Sequence, residues 1–495
     1  MTASFDVAVV GAGAAGCVVA RRLSESGSRS VLLLEAGPDL RADPPAHIRD
    51  GWHITRDFDW GYASEPDARG VVRNLWRNKL LGGTSSVTRF TPRGSPADYN
   101  EWAALGNERW AFEDVLPYFK RLETDTDFGQ EPWHGDRGPV PSTRYLDLDH
   151  TGILAASMRA LQALGFPTVD DHNRPGAVGA GRMPMSSRNG VRVTTLDAYL
   201  PAAYNVPQLT IRADAQAADI VFDGTRATGV RLVDGTVVKA NWVILCAGTY
   251  GTPPILMRSG IGPADSLHRL GISVRVDLQG VGANLVDHPA VAVDCGYRGS
   301  VREAPILHCI ATFHSAGRPS DQAPDLMLWL SDPSRPPGGP ELFEIEVVLL
   351  RPRSRGTVRL RSVDPTDAPT IELPNMRDPS DVKRLAEGYE RALDVARHPE
   401  MRALCSEMPT PVARDDEVLD MVRASGYSLP HVVGTCSMGT RAEDGAVVDA
   451  SGSVYGTERL SVIDASIMPD VPSGFTHIPT IMIAERLSEQ LAQLL

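Results

Sequence analysis

Three glycines and one acid near the N-terminus have the types and spacing to hold a dinucleotide. The apolar run Asp6–Val10 ends in Gly11-Ala12-Gly13-Ala14-Ala15-Gly16, and Cys17–Leu23 reads as the helix that follows. A second apolar strand, Ser30–Leu34, ends on Glu35. In such a unit Gly11 makes the tight turn, Gly13 lets backbone reach a pyrophosphate, and Gly16 lets helix and strand pack closely. The pyrophosphate sits on the helix N-terminus, where unpaired N–H groups and the helix dipole favour negative charge. Glu35, 19 residues past Gly16, stands close to the ~20-residue spacing of the acid that accepts from ribose hydroxyls. This unit leaves FAD and NAD both open.

A further stretch, Arg77–Ser86, clusters small residues and backbone donors in Leu81-Gly82-Gly83-Thr84-Ser85-Ser86. It reads either as a mobile surface loop or as close approach to a phosphate or flavin ring.

The elements that must position these residues follow from pattern. Asp98–Trp102, Phe112–Leu122 and Thr151–Leu164 read as helices, and Leu209–Ile211 and Asp219–Phe222 as strands. Gly229–Val233 and Val237–Ala240 read as hairpins, and Trp242–Cys246 as a buried strand opening into Ala247-Gly248. From about Ala290 to Pro430, Ile306–Phe313, Asp325–Leu330, Phe343–Leu350 and Val358–Leu360 read as strands without interleaved helices, with Arg353–Gly356 as a hairpin turn. That succession predicts a mostly antiparallel sheet, closed by a helix over Asp381–Arg397. Arg459–Asp464 is another strand ending in an acid, and a long helix begins near Pro479, proline being best tolerated in a first turn.

With 495 residues, 42% hydrophobic and 22% charged, the chain has the balance of a globular protein of two or three domains. Its formal net charge of −13 opposes nucleic acid or an anionic membrane as partner. Six scattered cysteines show no CxxC and no zinc spacing, so buried reduced thiols and no metal are expected. No apolar run reaches the ~18 residues of a membrane helix. Val7–Ala20 lacks the basic n-region of a signal peptide. A cytoplasmic location is expected.

Several further segments, in order, make the chain resemble the glucose-methanol-choline (GMC) oxidoreductases. Leu81–Ser86 resembles that family's GGSS loop, and Gly248–Pro253 through Ser259–Pro263 its second signature. Gly280-Val281-Gly282-Ala283-Asn284-Leu285-Val286-Asp287-His288 is similar to GVGxNLxDH. His134-Gly135, Gly138-Pro139 and Arg351–Gly356 also fit, and His431–Gly439 resembles HxxGTCxMG. His477, in Thr476-His477-Ile478-Pro479, falls where the family has a second histidine or an asparagine.

The resemblance implies FAD rather than NAD. It also implies an α/β chain with a Rossmann-like FAD-binding domain (1–150, 200–290 and 430–495). A second, α+β substrate domain (151–199 and 291–429) would rest on a mostly antiparallel sheet. The implied cofactor surface comprises Gly11, Gly13, Ala14, Ala15, Gly16, Glu35, Ala36, Gly82, Gly83, Thr84, Ser85, Ala217, Ala247, Gly248, Asp464, Ala465, His477 and Pro479. His431 is the expected base for the hydroxyl proton, with His477 holding the alkoxide oxygen, or the reverse; an imidazole is the side chain suited to that task near neutrality. The carbinol hydride goes to flavin N5.

Where some members carry a histidine that tethers FAD covalently, this chain has Val87, so dissociable FAD is expected. Thr88 replaces the common asparagine, which bears on contact with the flavin ring and on reactivity with oxygen. The expected substrate is a small alcohol or sugar-like molecule, with oxygen, a quinone or a carrier as electron acceptor. Leu326, Leu328 and Trp329 read equally as core or pocket. The competing functions are a flavin-containing hydroxynitrile lyase on the same fold and an NAD-dependent dehydrogenase.

Overall fold

The computed structural model describes residues 4–49, 56–67, 69–149, 152–299, 301, 307–334, 339, 341–374, 376–408 and 415–495. The expected segment ends Thr151 and Ile306 lie outside them.

The first apolar run forms the strand Ser4–Val10, central in a seven-stranded sheet. Val31–Leu34 lies parallel on one side, followed by Leu209–Arg212; Val237–Leu245 lies parallel on the other, followed by Leu460–Val462. Val7, Val9, Leu33, Ile244 and Val462 are fully excluded from solvent, as expected for strands covered on both faces. Register explains the site. Val10 pairs with both Leu34 and Leu245, and Leu245 pairs with Val462. The residues just beyond these, Gly11, Glu35, Ala247 and Asp464, therefore emerge together at the carboxyl edge, where open α/β sheets bind ligands.

Val237–Leu245 is one strand, not the hairpin arm and separate buried strand expected over Val237–Ala240 and Trp242–Cys246. Its first half pairs antiparallel with Arg226–Leu232, and its second half parallel with Leu460–Val462. Changing partners along one strand breaks the burial pattern from which the sequence reading divided it.

A second, six-stranded sheet is antiparallel throughout. Its order is Tyr427–Ser428, Pro289–Gly296, Leu342–Leu349, Leu326–Ser331, His308–Phe313 and Gly179–Arg182. Alternation gives it two faces. Val291, Val293, Leu326, Leu328, Ile345 and Val347 share a core with Leu154 and Leu161 of helix Gly152–Ala163 and with Val382, Leu385 and Leu393 of helix Pro379–Arg397. Ala290, Ile310, Met327 and Val348 form the other face, against Phe90, Trp329 and Phe475. Leu326 and Leu328 are therefore core, while Trp329 belongs to the face that meets the first domain.

The expected hairpin at Arg353–Gly356 is not one. Thr357–Arg359 pairs with Thr370–Glu372, not with Leu342–Leu349. Side chains divert the segment. Arg351 reaches Asp98 Oδ1 and Val471 O, the Arg353 and Ser354 N–H groups bond Asp381, and Arg355 Nε donates to Asn284 Oδ1.

Candidate active site

The glycine turn has the shape its spacing predicts. Gly11 has φ +96°, and a Cβ there would stand 2.6 Å from Cys246 O. A Cβ on Gly16 would fall 1.8 Å from Gly11 O. Gly13 differs: nothing lies within 4 Å of its Cβ position. It caps the helix Ala14–Ser24 without a side-chain bond, so the N–H groups at Ala14, Ala15 and Gly16 open towards that space. Gly83, heading the 3₁₀ turn Gly83–Ser86, has its Cβ position 2.8 Å from Gly13 Cα, and Gly82 N donates to Ala12 O at 2.8 Å. Two bare backbone turns thus meet at one helix N-terminus, the surroundings a pyrophosphate requires.

Glu35 is buried, and desolvation raises its pKa to about 7 despite bonds from Gly37 and Ala12 N–H. Its Oε2 accepts from Ala12 N and its Oε1 from Gly37 N, both at 2.9 Å. Each oxygen retains acceptor capacity for a ribose hydroxyl. Ala36 adds its own N–H to that carboxylate. Asp214 N and Ala215 N bond Gly37 O and Glu35 O, which brings Ala217 to this end.

Asp464 ties the remaining strand ends. Its Oδ2 accepts from Gly248 N (2.9 Å) and Thr252 Oγ1 (2.7 Å), and its Oδ1 from Ser466 N and Oγ. Ala247 caps the helix Gly248–Arg258, Ala465 begins a short 3₁₀ turn, and Pro479 lies in the first turn of the helix His477–Leu494. Ser85 Oγ donates to Gly82 O, and Thr84 Oγ1 accepts weakly from Asn78 N.

His431 lies where the second sheet meets this edge. Its backbone N–H donates to Asp287 Oδ1 (2.9 Å), which also receives the His288 N–H, while Asp287 Oδ2 accepts from Ser428 Oγ. Burial raises Asp287 to about 7. The His431 and His288 rings meet edge-on, nearly perpendicular, with Nδ1 atoms 3.1 Å apart, and His288 Nε2 lies 3.1 Å from Pro472 O. Desolvation, with His288 and Arg77 nearby, holds His431 well below the usual histidine range, which favours its neutral form. Asn284, at φ +54°, joins three segments of the site: Nδ2 donates to Ser437 Oγ and Pro469 O, and Oδ1 accepts from Arg355.

His431 and His477 do not share one bond network. His477 Nε2 lies 2.8 Å from Thr195 Oγ1, in the helix Thr195–Tyr199 that packs on the glycine-turn helix. Its Nδ1 is buried without a partner, and burial lowers its pKa to about 4. From the same segment Phe475 faces His431, ring centroids 4.6 Å apart. Phe475 packs in turn on Phe90 (5.4 Å) and Trp329 (5.5 Å).

Sequence reasoning missed Phe475, two residues before the histidine that the motif singled out. It quoted His288 and Asp287 only as motif letters; their adjacency in that motif was the available signal.

Two features lie away from this centre. An open groove of about 740 Å³ is lined by Arg21, Arg22, Lys120, Arg121 and Arg137, but Arg22 and Arg121 are committed to Glu485 and Glu489. Glu123, Asp125 and His134 bring three possible metal-ligand atoms together. There His134 holds Glu123 through Nδ1 (2.7 Å) and Asp171 through Nε2 (3.0 Å), and Arg144 binds Asp125 and Asp171. Protons and a guanidinium already bridge these carboxylates.

Comparison with known proteins agrees with this geometry. Residues 5–290 and 352–484 match the N- and C-terminal models of GMC oxidoreductase. The chain is 35% identical to an uncharacterized GMC-type oxidoreductase of Rhodococcus erythropolis, covering 98% of this chain and 97% of that one. It is 34% identical to 5-(hydroxymethyl)furfural oxidase of Methylovorus sp., covering 98% of both. Among solved structures, pyridoxine 4-oxidase from Mesorbium loti superposes with TM-score 0.90 at 28% identity, covering 98% of each chain. Among the described residues, no helix is long and apolar enough to cross a membrane. The chain belongs to the GMC oxidoreductase family and is an FAD-dependent alcohol oxidoreductase.

Proposed function

We propose that this enzyme oxidises a primary alcohol carried on an aromatic or heteroaromatic ring, with His431 as the base. The observation behind this reading is the aromatic wall beside His431. Phe475, Phe90 and Trp329 pack with centroids 5.0–5.5 Å apart, and Phe475 abuts the imidazole. Such faces bind a flat apolar ring. They also suit a quaternary ammonium, but the Arg89 guanidinium, 5.2 Å from the Phe90 centroid, adds positive charge to the wall and disfavours a second cation there. The furfural and pyridoxine oxidases among the relatives support a hydroxymethyl group on a ring.

The backbone turns at Gly11–Gly16 and Gly82–Ser85, with Glu35, Asp464 and the helix start at His477, hold FAD in this reading. When bound, FAD supplies the acceptor for the carbinol hydride. His431, neutral in its buried setting, takes the hydroxyl proton at its Nε2, which bonds no group among the described residues. The wall excludes water from the ring face and orients the carbinol. His477 serves the cofactor side. In support, its Nε2 engages Thr195, while the ring packed against His431 is that of Phe475.

The test is the anaerobic visible spectrum of FAD-loaded enzyme with aryl, heteroaryl and aliphatic alcohols, choline and sugars. Bleaching by hydroxymethyl-arenes supports the proposal; bleaching by choline or sugars alone refutes the substrate class. Admitting air afterwards reads the acceptor: immediate reoxidation marks an oxidase, and reoxidation only on adding a quinone marks a dehydrogenase.

A further inference from the structure

The His288 ring is fully buried, its two closest polar contacts are Pro472 O and His431 Nδ1, and the Leu350 carbonyl lies near the ring as a further acceptor. Nε2 lies 3.1 Å from Pro472 O and Nδ1 lies 3.1 Å from His431 Nδ1. A carbonyl oxygen only accepts, so the first contact requires the proton of His288 on Nε2. A neutral imidazole carrying its proton there presents a lone pair at Nδ1. His431 must then donate its Nδ1–H, which leaves its own Nε2 as a lone pair.

We infer that His288 is a positioning residue that fixes the tautomer of His431, through the chain Pro472 O, His288, His431, so that the base always presents Nε2. The inference rests on the reading of His431 as base and deepens it. The alternative arrangement, a doubly protonated His288 donating to His431, would put the His431 proton on Nε2 and remove the base. Burial opposes it, since His288 is pushed down to about 3 by desolvation. When His431 Nε2 takes the alcohol proton, the ring becomes an imidazolium whose Nδ1–H still donates to His288. The charge that forms is therefore met by an acceptor already in place, and no proton moves along the chain. The backbone supports the pair, because Asp287 Oδ1 accepts from both His288 N and His431 N.

The relay distinguishes two substitutions that a purely structural role would not. His288→Asn places an amide oxygen near the former Nδ1 and keeps the acceptor for His431. His288→Gln offers its amide N–H towards Pro472 O but leaves His431 without that acceptor. A misplaced tautomer in a serine-protease triad costs ~10⁴ in rate, and loss of a base is typically worth ~10²–10⁴.

The experiment uses FAD-loaded enzyme with ¹⁵N-labelled histidine, wild type and the two variants, assigned by comparison with His431→Ala. Expected is a His431 with protonated Nδ1 and unprotonated Nε2 in wild type and His288→Asn, but not in His288→Gln. Anaerobic flavin reduction should be at least about tenfold slower in His288→Gln than in His288→Asn. A wild-type His431 protonated on Nε2 overturns the inference, as does a His288→Gln enzyme with wild-type tautomer and rate. Failure of the base reading is separate: it shows as normal flavin reduction in His431→Ala, whatever the tautomer.

Discussion

Alanine at Gly13 and at Gly16 should fail in opposite ways. At Gly16 the added Cβ stands 1.8 Å from Gly11 O, whereas Cβ contacts under 3.0 Å essentially never occur. Helix and turn must separate by more than 1 Å, and Gly11 cannot retreat, because its own Cβ position lies 2.6 Å from Cys246 O. Overpacking of this kind costs about 1–3 kcal/mol, and backbone on both sides puts Gly16→Ala at the upper end. At Gly13 no atom lies within 4 Å, and φ −75°, ψ −160° suits alanine. Removing glycine's freedom from the unfolded chain should leave the apoprotein as stable as wild type or up to about 1 kcal/mol more so. The new methyl, however, enters the space in front of the helix N-terminus. FAD affinity should fall at least tenfold, or ~1.4 kcal/mol. Thermal melting of the apoproteins with FAD titration by fluorescence gives both quantities. A Gly13→Ala protein that binds FAD as tightly as wild type, or melts as low as Gly16→Ala, refutes this account of the turn.

The His134 network predicts a pH-dependent stability. Burial works against charge on His134, but its bonds to Asp171 and Glu123 outweigh it and raise the pKa to about 9. A group raised in the folded state stabilises fully below its unfolded value of about 6.5, and that contribution is lost as pH rises through 9. The loss, at most about 3 kcal/mol, should appear as a fall in Tm between pH 6 and 9.5 that His134→Asn abolishes; parallel curves for the two proteins would contradict it. At the opposite end of the cofactor site, Asp464→Asn turns one accepting oxygen into a donor facing donors. Unsatisfied buried groups cost about 1–3 kcal/mol each, so the apoprotein should lose about 2–4 kcal/mol and bind FAD more weakly. Unchanged urea unfolding of that variant would show the four bonds to Asp464 to be unimportant.

Much of the cofactor site was legible because it is local. The spacing of Gly11, Gly13 and Gly16 and the strand ends at Glu35 and Asp464 are written within single elements, and parallel register brings them together. Long-range pairings were not legible. Nothing between 237 and 245 announces a strand that changes partners midway. Arg353–Gly356 has the composition of a turn, yet its course is set by Asp381 and Asn284, 28 and 71 residues away. The segment before the C-terminal helix is irregular, so spacing does not say which of residues 475–477 faces His431. The motif drew attention to His477; that the Phe475 ring packs against His431 shows only in the fold. His288 acts across 143 residues, a distance that no local pattern reveals.

The central claim is that His431 removes the hydroxyl proton while flavin accepts the hydride. It is tested most directly by stopped-flow anaerobic reduction of FAD-loaded wild type and His431→Ala, using an alcohol that bleaches the wild-type flavin. The account predicts a variant that keeps an oxidised flavin spectrum and is reduced ~10²–10⁴ more slowly. Reduction of His431→Ala at the wild-type rate would contradict it.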